Sequence, residues 1–464
     1  MGAAPALSIP ARVAAALRAC VVCWCRGVPV AGAPAIWLCA AAVLLAGCGS
    51  PGQARPGALG TAGSRVASGA WRADASGTQQ PLYAVACLSA RRCEAVGAAG
   101  TILSTGDGGA TWRAQANPLQ GSSKILYRIA CVAPGSCYVI ARPGTILVTH
   151  DGGATWSSHV LALAGVGGNL TDQTCLADTV PPGEQPGPSA DGRLRCRLGL
   201  LDISCVSALI CYAVASGPAG YSYSPVPVPG RAGSASSVWM TSDGGTSWTR
   251  QSVPPGVGCT NGDCAKLLFP YPLEWVSCLG SGLCRAGGGY FGGGGNSGYV
   301  YAVVAVTRPG ARWTMLTCQP GFPCYNALMA IHPFPPGAPF SPDAGACPTS
   351  ARCYGVSSIS SGTEPGITEG AGYAGPGPVS WSADGGELWL AGPSGAGSIR
   401  TAIACPAART CYTAGDQGMI TRTANGTAFV ADGRPTTRDL YGITCVDAVT
   451  CYAVGDGGTI VARQ

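Results

Sequence analysis

One spacing governs what this 464-residue chain can become. Two cysteines six positions apart recur as Cys87/Cys93, Cys131/Cys137, Cys205/Cys211, Cys278/Cys284, Cys318/Cys324, Cys347/Cys353, Cys405/Cys411 and Cys445/Cys451. Seven of these pairs sit in the same wording. Tyr83-Ala84-Val85-Ala86-Cys87 leads through five turn residues to Cys93-Glu94-Ala95-Val96-Gly97, then to Gly100-Thr101-Ile102-Leu103-Ser104-Thr105, and then to Asp107-Gly108-Gly109-Ala110-Thr111-Trp112. Short apolar alternations cut by Gly and Asp-Gly predict four antiparallel strands, A to D, in each unit. The units begin at Cys87, Cys131, Cys205, Cys278, Cys347, Cys405 and Cys445; Cys318/Cys324 lacks the downstream strands and reads as an insertion. Four-stranded units at a core period of about 44 residues predict an all-β, seven-bladed β-propeller, which leaves no long free edge.

Ring closure can also be read from spacing. Gly458-Thr459-Ile460-Val461-Ala462-Arg463-Gln464 reaches strand C of the last unit and stops. Gly69-Ala70-Trp71-Arg72-Ala73 precedes the first unit and matches Ala110-Thr111-Trp112-Arg113-Ala114 in kind. Trp71 lies 16 positions before Cys87, as Trp389 does before Cys405 and Phe429 before Cys445. The expectation is that the early strand completes the last blade.

Composition removes the competing classes. With 71 Gly and 37 Pro no long helical stripe survives. With 47% hydrophobic and 11% charged residues the chain is too apolar for a disordered polyelectrolyte, and no G-x-y period makes it collagen. A net charge of +6, with 26 Arg against 2 Lys, gives a nucleic-acid role little support.

Residues 1–47 carry Arg12, Arg18 and Arg26, no acid, and an apolar run over 35–47. That run is too short for a membrane core of about 30 Å and fits a signal-peptide apolar region. Leu45-Ala46-Gly47-Cys48 resembles the bacterial lipobox, which implies a lipid on Cys48 and cleavage before it. Gly49-Ser50-Pro51-Gly52 opens a flexible tether over 48–66, and the propeller takes 67–464. The expected location is extracytoplasmic, on the bacterial cell membrane through the N-terminal lipid, with the propeller a monomer.

Cys20, Cys23, Cys25 and Cys39 fall in the signal segment; without them and Cys48, 20 of the 25 cysteines remain. Besides the spaced pairs these are Cys175, Cys196, Cys259 and Cys264. An even, regularly spaced set in an exported chain reads as a disulfide framework. Zinc is disfavoured, because none of the three histidines accompanies a pair at ligand spacing. No metal or cofactor is expected.

Asp107, Asp151, Asp243 and Asp384 each open a D-G-G turn ending at Trp112, Trp156, Trp248 and Trp389. A turn carboxylate accepts backbone N–H groups, Gly tolerates positive φ, and the indole wedges between blades. Burying one indole withdraws about 150–250 Å² from water, which stabilises by about 4–6 kcal/mol at most. No D-x-D-x-D-G loop is present, so calcium is not the reading. Blade four has Pro309-Gly310-Ala311-Arg312-Trp313 without the acid, and blade six has Asn425-Gly426-Thr427-Ala428-Phe429.

These turns resemble the Asp-box, or BNR, repeats of sialidase-type and sortilin-type propellers. The fuller wording, as in Tyr452-Ala453-Val454-Gly455-Asp456-Gly457-Gly458-Thr459-Ile460 and Thr149-His150-Asp151-Gly152-Gly153-Ala154-Thr155-Trp156, is similar to the photosystem II stability/assembly factor family and its non-photosynthetic bacterial relatives. The likeness covers roughly 67–464. It implies a non-enzymatic propeller that binds a partner polypeptide, partly through an arginine patch that no motif here places residue by residue. The cysteine clips depart from the thylakoid members.

Every A/B turn holds five residues and the C/D turns are nearly constant, so length variation falls on the D/A and B/C connections, which share the other face. The insertions are 161–200, 217–236, 252–271, 290–298, 317–343 and 359–377, all in blades two to five. Long loops on a rigid scaffold are where binding concentrates. They are aromatic: Tyr221, Tyr223, Tyr271, Tyr290, Phe291, Phe322, Tyr325, Phe334, Phe340 and Tyr373 form either a platform for a protein, peptide or glycan or small loop cores under their own disulfides. Arg193, Arg195 and Arg197 alternate, so one face of an extended strand holds all three, facing an anionic partner or solvent.

Gly287-x-Gly289-x-x-Gly292 spells a dinucleotide fingerprint but opens no helix. There is no G-x-S-x-G and no H-E-x-x-H. Two functions remain: a lipid-anchored binding or assembly scaffold, or a sialidase-type glycoside hydrolase drawing on Glu184, Glu274, Glu364, Glu369, Asp172, Asp178 or Asp191. The arginine-bearing first-blade motif of sialidases is missing, which favours the scaffold.

Overall fold

The computed structural model describes residues 69–132, 135–141, 143–163, 199–216, 237–254, 256–260, 263–269, 273–292, 298–316, 344–356, 379–386, 390–391 and 400–464; over 256–260, 263–269, 289–292, 298–303, 390–391 and at Ser216 and Arg400 the backbone alone is described. Among them are seven four-stranded antiparallel sheets, each in simple A-B-C-D order, and no α-helix. Blade one is Leu82–Cys87, Cys93–Gly97, Ile102–Thr105 and Arg113–Ala114. The other inner strands are Leu126–Val132, Gly199–Cys205, Trp275–Cys278, Ala344–Ala346, Arg400–Ala407 and Leu440–Cys445. Each inner strand lies against the inner strands of both neighbouring blades, so the ring is closed.

The seam joins as the spacing requires. Arg72–Asp74 is strand D of blade seven, pairing Arg72 with Ala462, Ala73 with Val461 and Asp74 with Ile460. Trp71 then packs edge-on against Tyr412 of blade six at 6.4 Å and donates its indole N–H to Asp432 at 2.8 Å. Asp432 also takes the Arg463 and Arg422 guanidiniums, so one carboxylate ties the closing strand to both flanking elements.

Between blades a second repeat operates that the sequence wording hid. The residue after the second cysteine is Tyr138, Tyr212, Tyr354, Tyr412 or Tyr452 in five blades, each fully buried. Four of these hydroxyls donate to a carbonyl in the next blade's A/B turn, at Ala208, Ala408, Ala448 and Ala90. The Asp-box aromatic of the following blade meets the same ring edge-on, as in Trp112–Tyr452, Trp248–Tyr138, Trp313–Tyr212 and Phe429–Tyr354. T-shaped pairs add about 0.5–1.5 kcal/mol beyond area burial. Trp313 is buried against Tyr212 although its turn lacks the acid, so packing rather than the carboxylate places the indole.

The Asp-box geometry is local and repeated. Asp107 accepts the Thr111 N–H at 2.9 Å and its hydroxyl at 2.6 Å, while Thr105 donates to Asp107 at 2.8 Å and accepts the Gly109 N–H at 3.0 Å. The same four contacts recur at Asp151 and Asp243. These donors hold the three carboxyls down at about 2. Ser382 bridges Asp384 and Gly386 in blade five; Trp389 lies outside the described residues. Gly109 sits at φ +83°, with Asp74 and Tyr452 filling the space a side chain would need.

Seven of the spaced pairs are disulfide-bonded across the A/B hairpins, as their regularity predicts. They are Cys87–Cys93, Cys131–Cys137, Cys205–Cys211, Cys278–Cys284, Cys347–Cys353, Cys405–Cys411 and Cys445–Cys451, with Cα atoms 3.9–4.1 Å apart. The second cysteine of each pair is fully buried, from Cys93 at 2% and Cys137 at 1% to Cys211, Cys284, Cys353, Cys411 and Cys451 at 0% exposure. The first cysteine is half-buried in five of the pairs, Cys87, Cys131, Cys278, Cys405 and Cys445. Cys175, Cys196, Cys318 and Cys324 lie outside the described residues, as does everything before Gly69, Cys48 included. Cys259 and Cys264 sit on a separate hairpin, Gly256–Thr260 with Asp263–Phe269, inside the connection from blade three to blade four.

Candidate functional site

All long connections join strand B to C or strand D to the next A. The described strands of blades three to five lead into these connections at one face. Over blades six, seven and one the B/C connections are single 3-10 turns, Asp416–Gly418, Asp456–Gly458 and Ala98–Gly100, each with its middle residue near φ +55°. The following D/A segment packs directly on these turns: side chains at Gly100 or Gly418 would collide with the carbonyls of Leu119 and Thr436. Over blades six, seven and one this face is low and close-packed.

At this face the inner strands share an irregularity. In five blades the ladder between strands A and B skips one residue, at Tyr83, Tyr127, Leu201, Thr401 and Tyr441. The preceding Leu82, Leu126, Leu200 and Leu440 are fully buried anchors. A bulge re-aims the side chain it carries and is common at barrel rims and beside sites. Here it carries tyrosine in three consecutive blades, seven, one and two. Tyr441 stacks on Tyr83 at 5.5 Å and 14°, and Tyr83 meets Tyr127 at 6.3 Å and 40°. Tyr83 and Tyr127 are half-buried, Tyr441 nearly fully.

Arg128 continues the row. Its guanidinium lies 4.2 Å from the Tyr127 ring centroid and 3.7 Å from the Asp202 carboxylate of blade three. Asp202 also accepts the Val276 N–H of blade four at 2.9 Å. Burial pushes its carboxyl up to about 6, against the opposing pull of Arg128 and the backbone donors. Next around the ring, Ser204 and Ser277 accept the backbone N–H groups of Cys278 and Cys347. The inner wall thus runs from an aromatic arc to a polar, cross-linked sector.

The residues singled out from sequence fare differently. Arg193, Arg195, Arg197, Tyr221, Tyr223, Tyr271, Phe322, Tyr325, Phe334, Phe340 and Tyr373 lie outside the described residues. Tyr290 and Phe291 are on strand B of blade four, Cys284–Gly292, which pairs in register with Gly298–Val306 up to Gly292 opposite Gly298. The two ends of the expected insertion at 290–298, Tyr290 to Gly292 and Gly298, therefore lengthen the B/C hairpin, and 293–297 lie outside the described residues. Glu274 is buried, and the other proposed carboxylates, Glu184, Glu364, Glu369, Asp172, Asp178 and Asp191, are not among the described residues. Among the described residues no three His, Cys, Asp or Glu side chains converge as metal ligands. The sequence reading passed over Tyr83, Tyr127, Tyr441, Arg128 and Asp202; the available signal was the Leu-Tyr step recurring at one unit position in three blades.

Comparison with known proteins agrees with this architecture. The family model for the photosynthesis system II assembly factor YCF48 matches residues 64–169, from the closing strand into blade two. No curated protein matches. Among solved structures, YCF48 bound to D1 peptide is 14% identical with a TM-score of 0.50, covering 85% of this chain and 94% of that one. YCF48 from Cyanidioschyzon merolae is likewise 14% identical, TM-score 0.50, covering 85% and 98%. A streptogramin B lyase structure is 10% identical, TM-score 0.50, covering 86% and 98%. The chain is similar to the YCF48 family in repeat wording and in fold.

Proposed function

We propose that this chain is a non-enzymatic binding or assembly scaffold, carried outside the cytoplasm on a lipid at Cys48, and that its ligand is a polypeptide. The observation that carries the reading is the arc of Tyr83, Tyr127 and Tyr441, displayed by equivalent bulges on the face where the long connections emerge. Aromatic side chains on a rigid wall supply contact area at low entropic cost. Likeness to a propeller solved with a peptide bound favours a peptide over a cell-wall glycan. The lipobox-like stretch, the seven disulfides and the early Arg-bearing apolar segment support the location.

A photo-crosslinking amino acid in place of Tyr127, in the full chain in its producing cell, tests the ligand class. Discrete polypeptide adducts are expected, absent when the same group replaces an outer-strand residue such as Arg113. Hydrolysis of fluorogenic sialosides by the purified chain, or no polypeptide adduct at all, overturns the reading. The anchor is tested separately: labelled palmitate incorporates into the parent chain and not into Cys48→Ala, which leaves the membrane fraction.

A further inference from the structure

The A/B and C/D turns of the seven blades share the face opposite the long connections. The chain enters the propeller on this turn face. Gly69 donates its N–H to the Gln464 carbonyl at 3.1 Å, beside the end of strand C, and Arg72–Asp74 then runs away as strand D. Residues 49–68 separate Gly69 from Cys48. A flexible tether of that length has a root-mean-square reach of about 25 Å, so a lipid on Cys48 keeps the turn face of blade seven close to the bilayer.

The turns of blades four to seven carry cations and apolar tips. Asp107, Asp151, Asp243 and Asp384 each stand five residues before a tryptophan, and Arg308 holds that place before Trp313 in blade four. Thr111, Thr155 and Ser247, one residue before the tryptophan, donate to their aspartates; blade four has Arg312 there. The Ala311 N–H closes a tight turn on the Arg308 carbonyl at 3.1 Å, with Gly310 at φ +74° after Pro309, and both arginines are exposed. Arg409 is exposed on the A/B turn of blade six, and among the described residues none of the three makes an ion pair. Val446 and Val449, 38% and 54% exposed, flank Asp447 on the A/B turn of blade seven. That carboxylate is turned back onto the N–H groups of Val449 and Thr450, and Asp384 accepts the Ser382 hydroxyl. Blades one to three carry Asp107, Asp151 and Asp243 on this face against Arg91 and Arg92, so positive charge gathers over blades four to six, next to the chain's entry.

Resting on the lipid-anchored location proposed above, we propose that the turn face of blades four to seven lies on an anionic phospholipid surface. The guanidiniums of Arg308, Arg312 and Arg409 meet lipid phosphates, which their fork geometry matches. Val446 and Val449 enter the headgroup layer; apolar tips beside cations are the pattern of interfacial binding. The long connections and the tyrosine arc then face away from the membrane, where a polypeptide ligand can reach them.

The test uses the lipid-bearing full chain in vesicles of phosphatidylcholine, with and without phosphatidylglycerol. A photo-crosslinking amino acid replaces Val449, or Gln417 on the opposite face as the control. Lipid adducts at 449 are expected to exceed those at 417 at least about tenfold with phosphatidylglycerol present. The contrast should shrink in phosphatidylcholine alone, in high salt, and with Arg308→Gln/Arg312→Gln/Arg409→Gln. Arg113→Gln/Arg250→Gln/Arg438→Gln, which removes the same charge elsewhere, should preserve it. Near-ultraviolet circular dichroism confirms folding, and Arg409→Gln alone replaces the triple variant if that does not fold. Equal adducts at both positions, more at 417, or a contrast indifferent to lipid charge and to the three arginines overturns this inference and leaves the anchor standing. Absence of palmitate from the parent chain removes the location reading instead. Sedimentation of that unlipidated full chain with the same vesicles then decides the inference: binding to phosphatidylglycerol governed by the three arginines supports it, and its absence overturns it.

Discussion

Glu94 and Arg285 occupy the position that five other blades give to a buried tyrosine. Arg285 reproduces the tyrosine's contact, donating to the Thr349 and Ser350 carbonyls of the next blade's A/B turn. Glu94, 8% exposed, accepts only from Gln115, at 3.3 Å; Gln115 in turn accepts the Trp156 indole N–H. Its second oxygen has no partner, and burial pushes its carboxyl up to about 8 from an ordinary 4.5, with Gln115 and Arg92 opposing. The folded chain then keeps a proton that the unfolded chain releases between those pH values. Stability due to this group falls as pH rises from 4.5 to about 8 and is flat above. Glu94→Gln should therefore gain on the parent across that window, reaching about 2–4 kcal/mol at pH 9, read from denaturant midpoints at pH 5, 7 and 9. The Asp-box carboxyls titrate in the opposite sense. Their stabilisation is complete above the ordinary 3.8 and is lost as pH falls toward about 2. At this scale the D-G-G turns were readable because they are contiguous motifs. Tyr83, Tyr127 and Tyr441 were not, because a strand aromatic has the same letter whether it faces a core or a channel, and only the bulge distinguishes them.

Among the elements, blade four shows how a glycine string acquires a purpose unrelated to nucleotides. Trp275 on its inner strand is fully buried between Gly287 of strand B and Gly345 of blade five, where an added Cβ would stand 2.5 Å from the indole at either site. Gly287→Val should cost at least about 1–3 kcal/mol by overpacking, and a smaller residue at 275 should recover part of it, as a double-mutant cycle in thermal unfolding would show. The A/B hairpins are clipped by disulfides between residues already opposite in the ladder, such as Cys87 and Cys93. Removing one pair as Cys87→Ala/Cys93→Ala should lower stability by about 2 kcal/mol, with the hairpin still formed in amide exchange because the strand register does not depend on the bond. Strand number, order and unit boundaries were legible from periodicity and turn chemistry. The lengthened hairpin of blade four was not, since its Gly-rich ends carry no alternation to mark a strand.

For the whole molecule, closure concentrates on Asp432. It receives Trp71, Arg463 and Arg422, and Arg463 also lies 5.5 Å from the Tyr412 ring centroid. Asp432→Ala leaves a largely buried guanidinium unpaired and should cost about 3–5 kcal/mol, with amide exchange accelerating first at 72–74 and 460–463. The ring and its seam were predictable because unit counting and a single displaced strand leave one arrangement. Which side chains join neighbouring blades was not, because those contacts link residues from tens to hundreds of positions apart. Trp71 and Asp432 are 361 residues apart, and a ribosome adding about 5–20 residues each second separates their synthesis by about 20–70 s. During that interval Arg72–Asp74 has no complementary edge to join, so it must be hydrophilic enough to wait without recruiting a wrong one. Two of its three side chains are charged, which is the chemistry such a delay demands.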